Sequence, residues 1–205
     1  MSVLQNHRLL LSIAAVAFAA TAAAGLLGLD SVLTPGANLA PALSSSALAL
    51  MDIIFLKEIS NFLLGFLILL AAGALLITCR TRPIGWPLLY LGLVQFISTT
   101  AADLAKPVFG RLRPFEASEG DIWFVGANSF PSGHTAFYAG IFFPLIFLLP
   151  RAALLWVLVP LLVAALRVLQ HDHYLSDVAA SLALAAALAA ALSPLVMRGR
   201  RAAAG

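Results

Sequence analysis

Three short segments of the chain carry residues whose types and spacing could do chemistry: residues 106–114, residues 131–134, and the stretch from Arg167 to Asp177. The first reads Lys-Pro-Val-Phe-Gly-Arg-Leu-Arg-Pro and the second Pro-Ser-Gly-His. Arginine binds phosphate oxygens in bidentate fashion, and lysine supplies a point charge. Imidazoles move protons or act as nucleophiles. Such a set of cations, two imidazoles and a carboxylate indicates a site that holds a phosphate and breaks its ester bond.

The second segment predicts the start of a helix beside an anion. Ser132 is a favourable N-cap residue, and free N–H groups at a helix N-terminus bind anions. Gly133 would let a phosphate approach the backbone closely, with His134 in the first helical turn. The alternative is a plain helix start with no ligand.

The spacing of His173 and Asp177 predicts an oriented imidazole. Residues four apart share one face of a helix, so the carboxylate can hold the ring and stabilise its cation. The alternative is a structural His–Asp pair that caps a helix. His171 and Asp172 are interpreted as solvated loop residues without a role.

The cations of the first segment have two interpretations. Lys106, Arg111 and Arg113 could be interfacial side chains that snorkel to lipid headgroups. Alternatively they bind phosphate from a shaped loop. Pro107 and Gly110 favour such a loop over a helix that continues through Lys106.

Composition predicts an all-α, polytopic membrane protein. The chain is 62% hydrophobic and 10% charged, with a mean hydropathy of +1.01, whereas soluble domains have about 25% charged residues. Apolar stretches of membrane-spanning type predict a bundle of six transmembrane helices in a single domain, residues 1–205. Segment 47–56 is too short to span and is predicted to be interfacial or re-entrant. A cleaved signal peptide is the alternative for the first stretch. The six stretches are residues 9–28, 59–78, 87–102, 135–150, 152–166 and 178–197.

Charge placement predicts the orientation. With six spans and the N-terminus inside, the inner side carries seven of the twelve basic residues and none of the nine acidic ones. Basic inner loops are the expected bias, so both termini are predicted inside. The three segments then lie at helix ends on the outer face. The net charge of +3 reflects this topology, and no nucleic-acid partner is expected.

At this point the chain resembles the type-2 phosphatidate phosphatase family, whose site is shared with vanadium haloperoxidases. The family pattern is K-x6-R-P, then P-S-G-H, then S-R-x5-H-x3-D, and the spacings here match it throughout. The one departure is Leu166, where the family often has Ser.

The resemblance implies a role for each site residue. His173 would attack phosphorus and form a phosphohistidine, and Asp177 would orient it. His134 would protonate the leaving alkoxide and then activate water. No metal or other cofactor is implied. Charge on the phosphoryl oxygens would be stabilised by Lys106, Arg113, Arg167 and the Ser132 and Gly133 amides.

A site at the lipid boundary favours a lipid phosphate or diphosphate as the substrate. Polyprenyl diphosphate, phosphatidylglycerol phosphate and phosphatidate are the first choices. A lipid A 1-phosphatase, a phosphotransferase, a haloperoxidase-like enzyme and a sugar-phosphate enzyme remain alternatives. A non-enzymatic lipid transporter is less favoured, because transporters place ionisable groups at mid-membrane. The short chain is typical of a bacterial inner-membrane protein with its site facing the periplasm. The expected partners are the substrate and the bilayer, and the oligomeric state stays open.

Overall fold

The computed structural model describes residues 3–30, 34, 43–54, 62–77, 82–117 and 121–204. Across these residues all regular structure is helical. A short 3₁₀ turn, Pro150–Ala152, joins two of the helices. The α-helices are α1 Val3–Leu26, α2 Leu43–Ile54, α3 Leu63–Ile77, α4 Arg82–Phe109, α5 Gly133–Leu148, α6 Ala153–Leu169, α7 Leu175–Leu192 and α8 Pro194–Ala204.

The helices confirm an all-α membrane protein. Four stretches among the described residues are long and apolar enough to cross a bilayer: Leu4–Gly25, Pro83–Phe109, Pro150–Leu169 and Leu175–Gly199. Helices α3 and α5 are apolar but shorter, at 15 and 16 residues. Large apolar side chains point outward, as Val16, Phe18 and Leu154 do at 70% exposure or more, and such a surface is typical of contact with a membrane.

Small residues allow α4 to pack closely within the bundle. It lies against α3, α5, α7 and α8, while α7 also contacts α1 and α6. At Gly140 of α5, an added methyl group would overlap the Ser98 hydroxyl of α4 and come within 3.0 Å of the Gln95 Cα. Ser98 itself donates to the Val94 carbonyl at 2.5 Å, so this buried hydroxyl is satisfied by its own helix.

The end of α4 corrects one prediction. Lys106 lies in the last turn of α4 rather than in a loop, and the helix continues through Pro107 to Phe109. Proline this near a C-terminus removes only one backbone hydrogen bond. The chain turns at Gly110, whose φ is +50° and whose N–H donates to the Lys106 carbonyl at 2.8 Å. A left-handed glycine just after the last helical residue is a common helix ending.

Two further helix boundaries lie near that end of α4. Helix α5 begins at Gly133, and the turn between α6 and α7 covers residues 170–174. Helix α2 reaches α5 through Leu48, which lies in one buried apolar cluster with Phe137 and Tyr138. Its 12 residues are too few to cross a bilayer.

Candidate active site

The three segments meet at one pocket of about 250 Å³. It draws on α4, α5, α6 and the loops beside them. Six predicted site residues line it together with Asn128, which was not predicted. The six are Lys106, Arg113, Gly133, His134, Arg167 and His173.

His173 and Asp177 form the predicted pair. The His173 Nδ1 lies 3.5 Å from the Asp177 Oδ2, and the two residues are 2% and 0% exposed. A carboxylate beside Nδ1 favours the tautomer that carries its proton there, which leaves the lone pair on Nε2. His173 lines the pocket, so Nε2 is the nitrogen suited to attack a bound phosphate.

Asp177 stands behind His173 and is itself held by several donors. Its Oδ2 accepts from the Ser129 hydroxyl at 2.5 Å and from the Tyr174 N–H at 3.0 Å. Its Oδ1 accepts from the Arg111 Nη1 at 2.5 Å. A buried carboxylate with these partners stays ionised and fixed.

Arg111 does not line the pocket and has a structural role instead. It is 1% exposed, and its guanidinium lies between the Trp123 and Tyr174 rings, 4.2 and 3.9 Å from their centroids. Its Nη2 donates to the Asp30 Oδ2 at 2.7 Å. Neither snorkelling nor phosphate binding describes this cation, which joins Asp30, four residues beyond the end of α1, to the Asp177 carboxylate.

Asp30 completes that connection. Its Oδ1 accepts from the Ser176 N–H at 3.0 Å, and its Oδ2 accepts from the Ser176 hydroxyl at 2.5 Å. An acidic side chain that binds free N–H groups stabilises a helix start, here the start of α7. The sequence motifs pointed to neither Asp30 nor Ser129.

Burial lowers the pKa of the His173 imidazole below its usual range. The hydrogen bond and charge of Asp177 oppose that shift, while the positive charges of Arg167 and Arg113 reinforce it. The net effect keeps His173 neutral near pH 7, which is the state that a nucleophile requires.

Each pocket cation has a fixed partner. Lys106 Nζ lies 2.7 Å from Asp103 Oδ1, and Arg113 Nε donates to Asn128 Oδ1 at 3.1 Å. Arg167 Nη2 lies 2.9 Å from Asp172 Oδ2.

Asp172 corrects a second prediction. The sequence alone predicts a solvated loop residue without a role at this position. Its other oxygen lies 3.9 Å from Arg113 Nη1, so Asp172 lies between Arg113 and Arg167. Such a position orients two guanidinium groups that face the same pocket.

Ser132 also differs from the prediction. It is 0% exposed and does not line the pocket. Its backbone N–H, expected to bind phosphate, donates to the Asp177 carbonyl at 3.2 Å. Its hydroxyl accepts from Thr135 Oγ1 at 3.1 Å rather than capping the helix. Gly133 does reach the pocket, and a methyl group there would lie 3.0 Å from Lys106 Nζ.

His134 has a partner from the distant helix α2. Its Nε2 lies 3.0 Å from Asp52 Oδ2, and the Tyr138 hydroxyl donates to Asp52 Oδ1 at 2.6 Å. Asp52 is 3% exposed. One sequence signal could have identified it, because a lone carboxylate in an apolar segment near a membrane often marks a site.

The charged groups that face the pocket are suited to an anion. Lys106, Arg113 and Arg167 converge there. Within the described ranges, no three His, Cys, Asp or Glu side chains gather in a group that could hold a metal ion. The pocket can therefore bind a phosphoryl group between its cations, with one imidazole oriented by Asp177 and another beside Asp52.

Comparison with known proteins identifies the family of the chain. The model of the PAP2 superfamily matches residues 84–201, which is more than half of the chain and includes every residue that lines the pocket. Searches of curated proteins and of solved structures found no match. Members of the superfamily are phosphatases, which supports hydrolysis of phosphate esters. The chain belongs to the PAP2 superfamily.

Proposed function

We propose that the chain removes phosphate from membrane lipid phosphates or diphosphates through a phosphohistidine on His173, without a metal ion. The observation that carries this proposal is that His173, His134 and three cations line the same pocket. Positioning and charge stabilisation dominate phosphoryl transfer. The cations supply that charge without a metal ion.

The first step transfers the phosphoryl group to the protein. The Nε2 lone pair of His173 attacks phosphorus, and the bond between phosphorus and the lipid oxygen breaks. His134 gives its proton to that leaving oxygen. Asp177 accepts a hydrogen bond from the Nδ1 N–H of His173, so that this proton stays on the ring. Its negative charge stabilises the positive charge on the phosphorylated ring.

The second step releases phosphate. Water gives a proton to His134 and its oxygen attacks phosphorus, while the bond between phosphorus and Nε2 breaks. His173 returns to its neutral form and His134 to its cationic form. Lys106, Arg113 and Arg167 stabilise the equatorial oxygens in both steps. Gly133 at the first residue of α5 adds the field of a helix N-terminus.

The proposal includes a single domain with six spans and both termini inside. The four long helices supply four spans, and α3 and α5 supply the other two despite their shorter lengths. The pocket then lies at the outer membrane–water boundary, which in a bacterial inner membrane faces the periplasm. Polyprenyl diphosphate, phosphatidylglycerol phosphate and phosphatidate are the proposed substrates.

The test is a phosphate-release assay on these three lipids in defined vesicles after exhaustive chelation. Wild-type protein should release phosphate from at least one of them. His173→Asn should be inactive on all. His171→Asn is the matched control: it lies two residues away, does not line the pocket, and has a positive φ of 63° that asparagine tolerates. It should retain activity. Activity that vanishes on chelation and returns with magnesium contradicts the proposal, as does an active His173→Asn protein.

A further inference from the structure

We infer that Asp52 of α2 is a positioning residue for His134, which holds the imidazole and stabilises its cationic form. This inference rests on the proposed function and names the origin of the proton that the leaving group receives. It starts from the contact between His134 Nε2 and Asp52 Oδ2 at 3.0 Å.

The carboxylate is fixed from both sides. Asp52 Oδ1 accepts from the Tyr138 hydroxyl at 2.6 Å, and Oδ2 faces His134. Tyr138 and His134 are four residues apart on α5, so they share one face of that helix. A buried carboxylate is costly unless it is paired and hydrogen-bonded, and these two contacts provide both.

Helix α2 brings Asp52 to this position by packing. Leu48 is 3% exposed and lies in the same buried apolar cluster as Phe137 and Tyr138. Leu48 and Asp52 are four residues apart and therefore lie on the same face, while Ile53 and Ile54 are more than 60% exposed on the other side. The buried face of α2 that carries Leu48 therefore also places the Asp52 carboxylate against His134.

The surrounding charges explain why His134 needs an anion. Nearby cations disfavour a protonated imidazole, and an adjacent carboxylate favours it. Asp52 is therefore the group that lets His134 enter the reaction as an acid. The other charged or titratable groups around the same pocket are Lys106 with its partner Asp103, Arg113, Arg167 with its partner Asp172, and His173.

The contact also assigns the atoms. Asp52 accepts a hydrogen bond from the Nε2 N–H of His134 and does not itself become protonated. The proton delivered to the leaving oxygen therefore comes from Nδ1, and the proton taken from water returns there. His134 keeps its Nε2 proton throughout both steps.

The test is the Asp52→Asn substitution, measured on an alkyl phosphate lipid and on an aryl phosphate. Asparagine keeps the shape and removes the charge. On the alkyl substrate we expect kcat to fall about 10- to 100-fold, a part of the ~10²–10⁴-fold that general acid catalysis contributes. The alkaline limb of the kcat profile should move to lower pH, because the imidazolium loses its stabilising anion. On the aryl phosphate, whose leaving group needs little proton transfer, the loss should be small.

A double-mutant cycle separates positioning from a general structural effect. In a His134→Ala background, Asp52→Asn should cause a much smaller loss than it does in wild type, because its main effect runs through His134 and only its weaker charge effect on Arg167 remains. Equal losses on both substrates, an unmoved alkaline limb, or full additivity with His134→Ala would each overturn the inference. If the Asn protein does not fold, Asp52→Ser is measured with the same expectations. If wild-type protein shows no phosphatase activity at all, the proposed function fails. If the wild type is active and the loss in His134→Ala depends on the leaving group, the proposed function stands. A negative result with Asp52→Asn then overturns only the inference about Asp52.

Discussion

Arg111 and Lys106 belong to the same segment, but the structure gives Arg111 a role in stability and Lys106 a role in the pocket. Replacing each with methionine tests this difference. The Arg111 guanidinium bonds to Asp30 and Asp177, all three side chains being at most 8% exposed. Methionine would leave two buried carboxylates without their cation. Removing one partner of a buried ion pair costs about 3–5 kcal/mol, so Arg111→Met should lower the free energy of unfolding by at least that range.

Lys106→Met is the matched control. The Lys106 side chain is 24% exposed, and its partner Asp103 is 31% exposed one turn earlier in α4. Exposed pairs of this kind contribute about 0–1 kcal/mol. The Lys106 variant should therefore fold nearly as well as wild type while losing phosphate release, since its ammonium group faces the pocket.

Thermal unfolding in detergent micelles measures the difference. For a chain of this size, 1 kcal/mol corresponds to roughly 2–4 °C in Tm. Arg111→Met should melt about 6–20 °C below wild type, and Lys106→Met within about 4 °C of it. An Arg111→Met protein that melts like wild type but no longer binds orthovanadate would refute the reasoning, because Arg111 would then be a phosphate ligand and not a buried support.

Three further predictions concern pH, packing and topology. Because burial lowers the pKa of His173, the acid limb of kcat/KM should lie below the usual histidine range, and a limb above that range would argue against a neutral nucleophile. Gly140→Ala should cost about 1–3 kcal/mol of stability by overpacking α5 against α4, whereas Gly73→Ala, with open space at its Cβ, should melt close to wild type; equal melting of both would refute the packing argument. For topology, the single native cysteine is replaced by alanine, and a new cysteine is placed at one of the exposed positions Asp121 and Ala203. In intact cells, an impermeant thiol reagent should label the cysteine at position 121 but not the one at position 203. Labelling of the second alone would reverse the orientation.

The sequence predicted the pocket because its residues lie in short motifs at helix ends. The spacing of His173 and Asp177 is a local property of one helical turn, and the structure places the two groups 3.5 Å apart. The apolar stretches predicted the helices for the same reason, since periodicity and length act within one element. The end of α4 was harder to predict, because Pro107 is disfavoured in a helix interior yet costs little in a last turn.

The supports of the site could not be predicted from the motifs. Asp30 lies 81 residues from Arg111 in sequence, and Asp52 lies 82 residues from His134. Such contacts are decided by how helices pack, and no local pattern encodes them. At Ser132, by contrast, a local preference is present in the sequence but the tertiary structure overrides it. Its residue type favours an N-cap, but the neighbouring Asp177 carbonyl and Thr135 hydroxyl bind it instead.

The central claim is that His173 carries the phosphoryl group, and trapping the intermediate tests it most directly. His134→Ala protein, which lacks the group proposed to activate water, is mixed with a lipid diphosphate labelled at its terminal phosphate and quenched in alkaline detergent. The account predicts a burst of about one label per chain, mapped by mass spectrometry to His173 and absent when His173 is replaced by Asn. Label on another residue, or turnover by wild type with no labelled protein at any time, would contradict it.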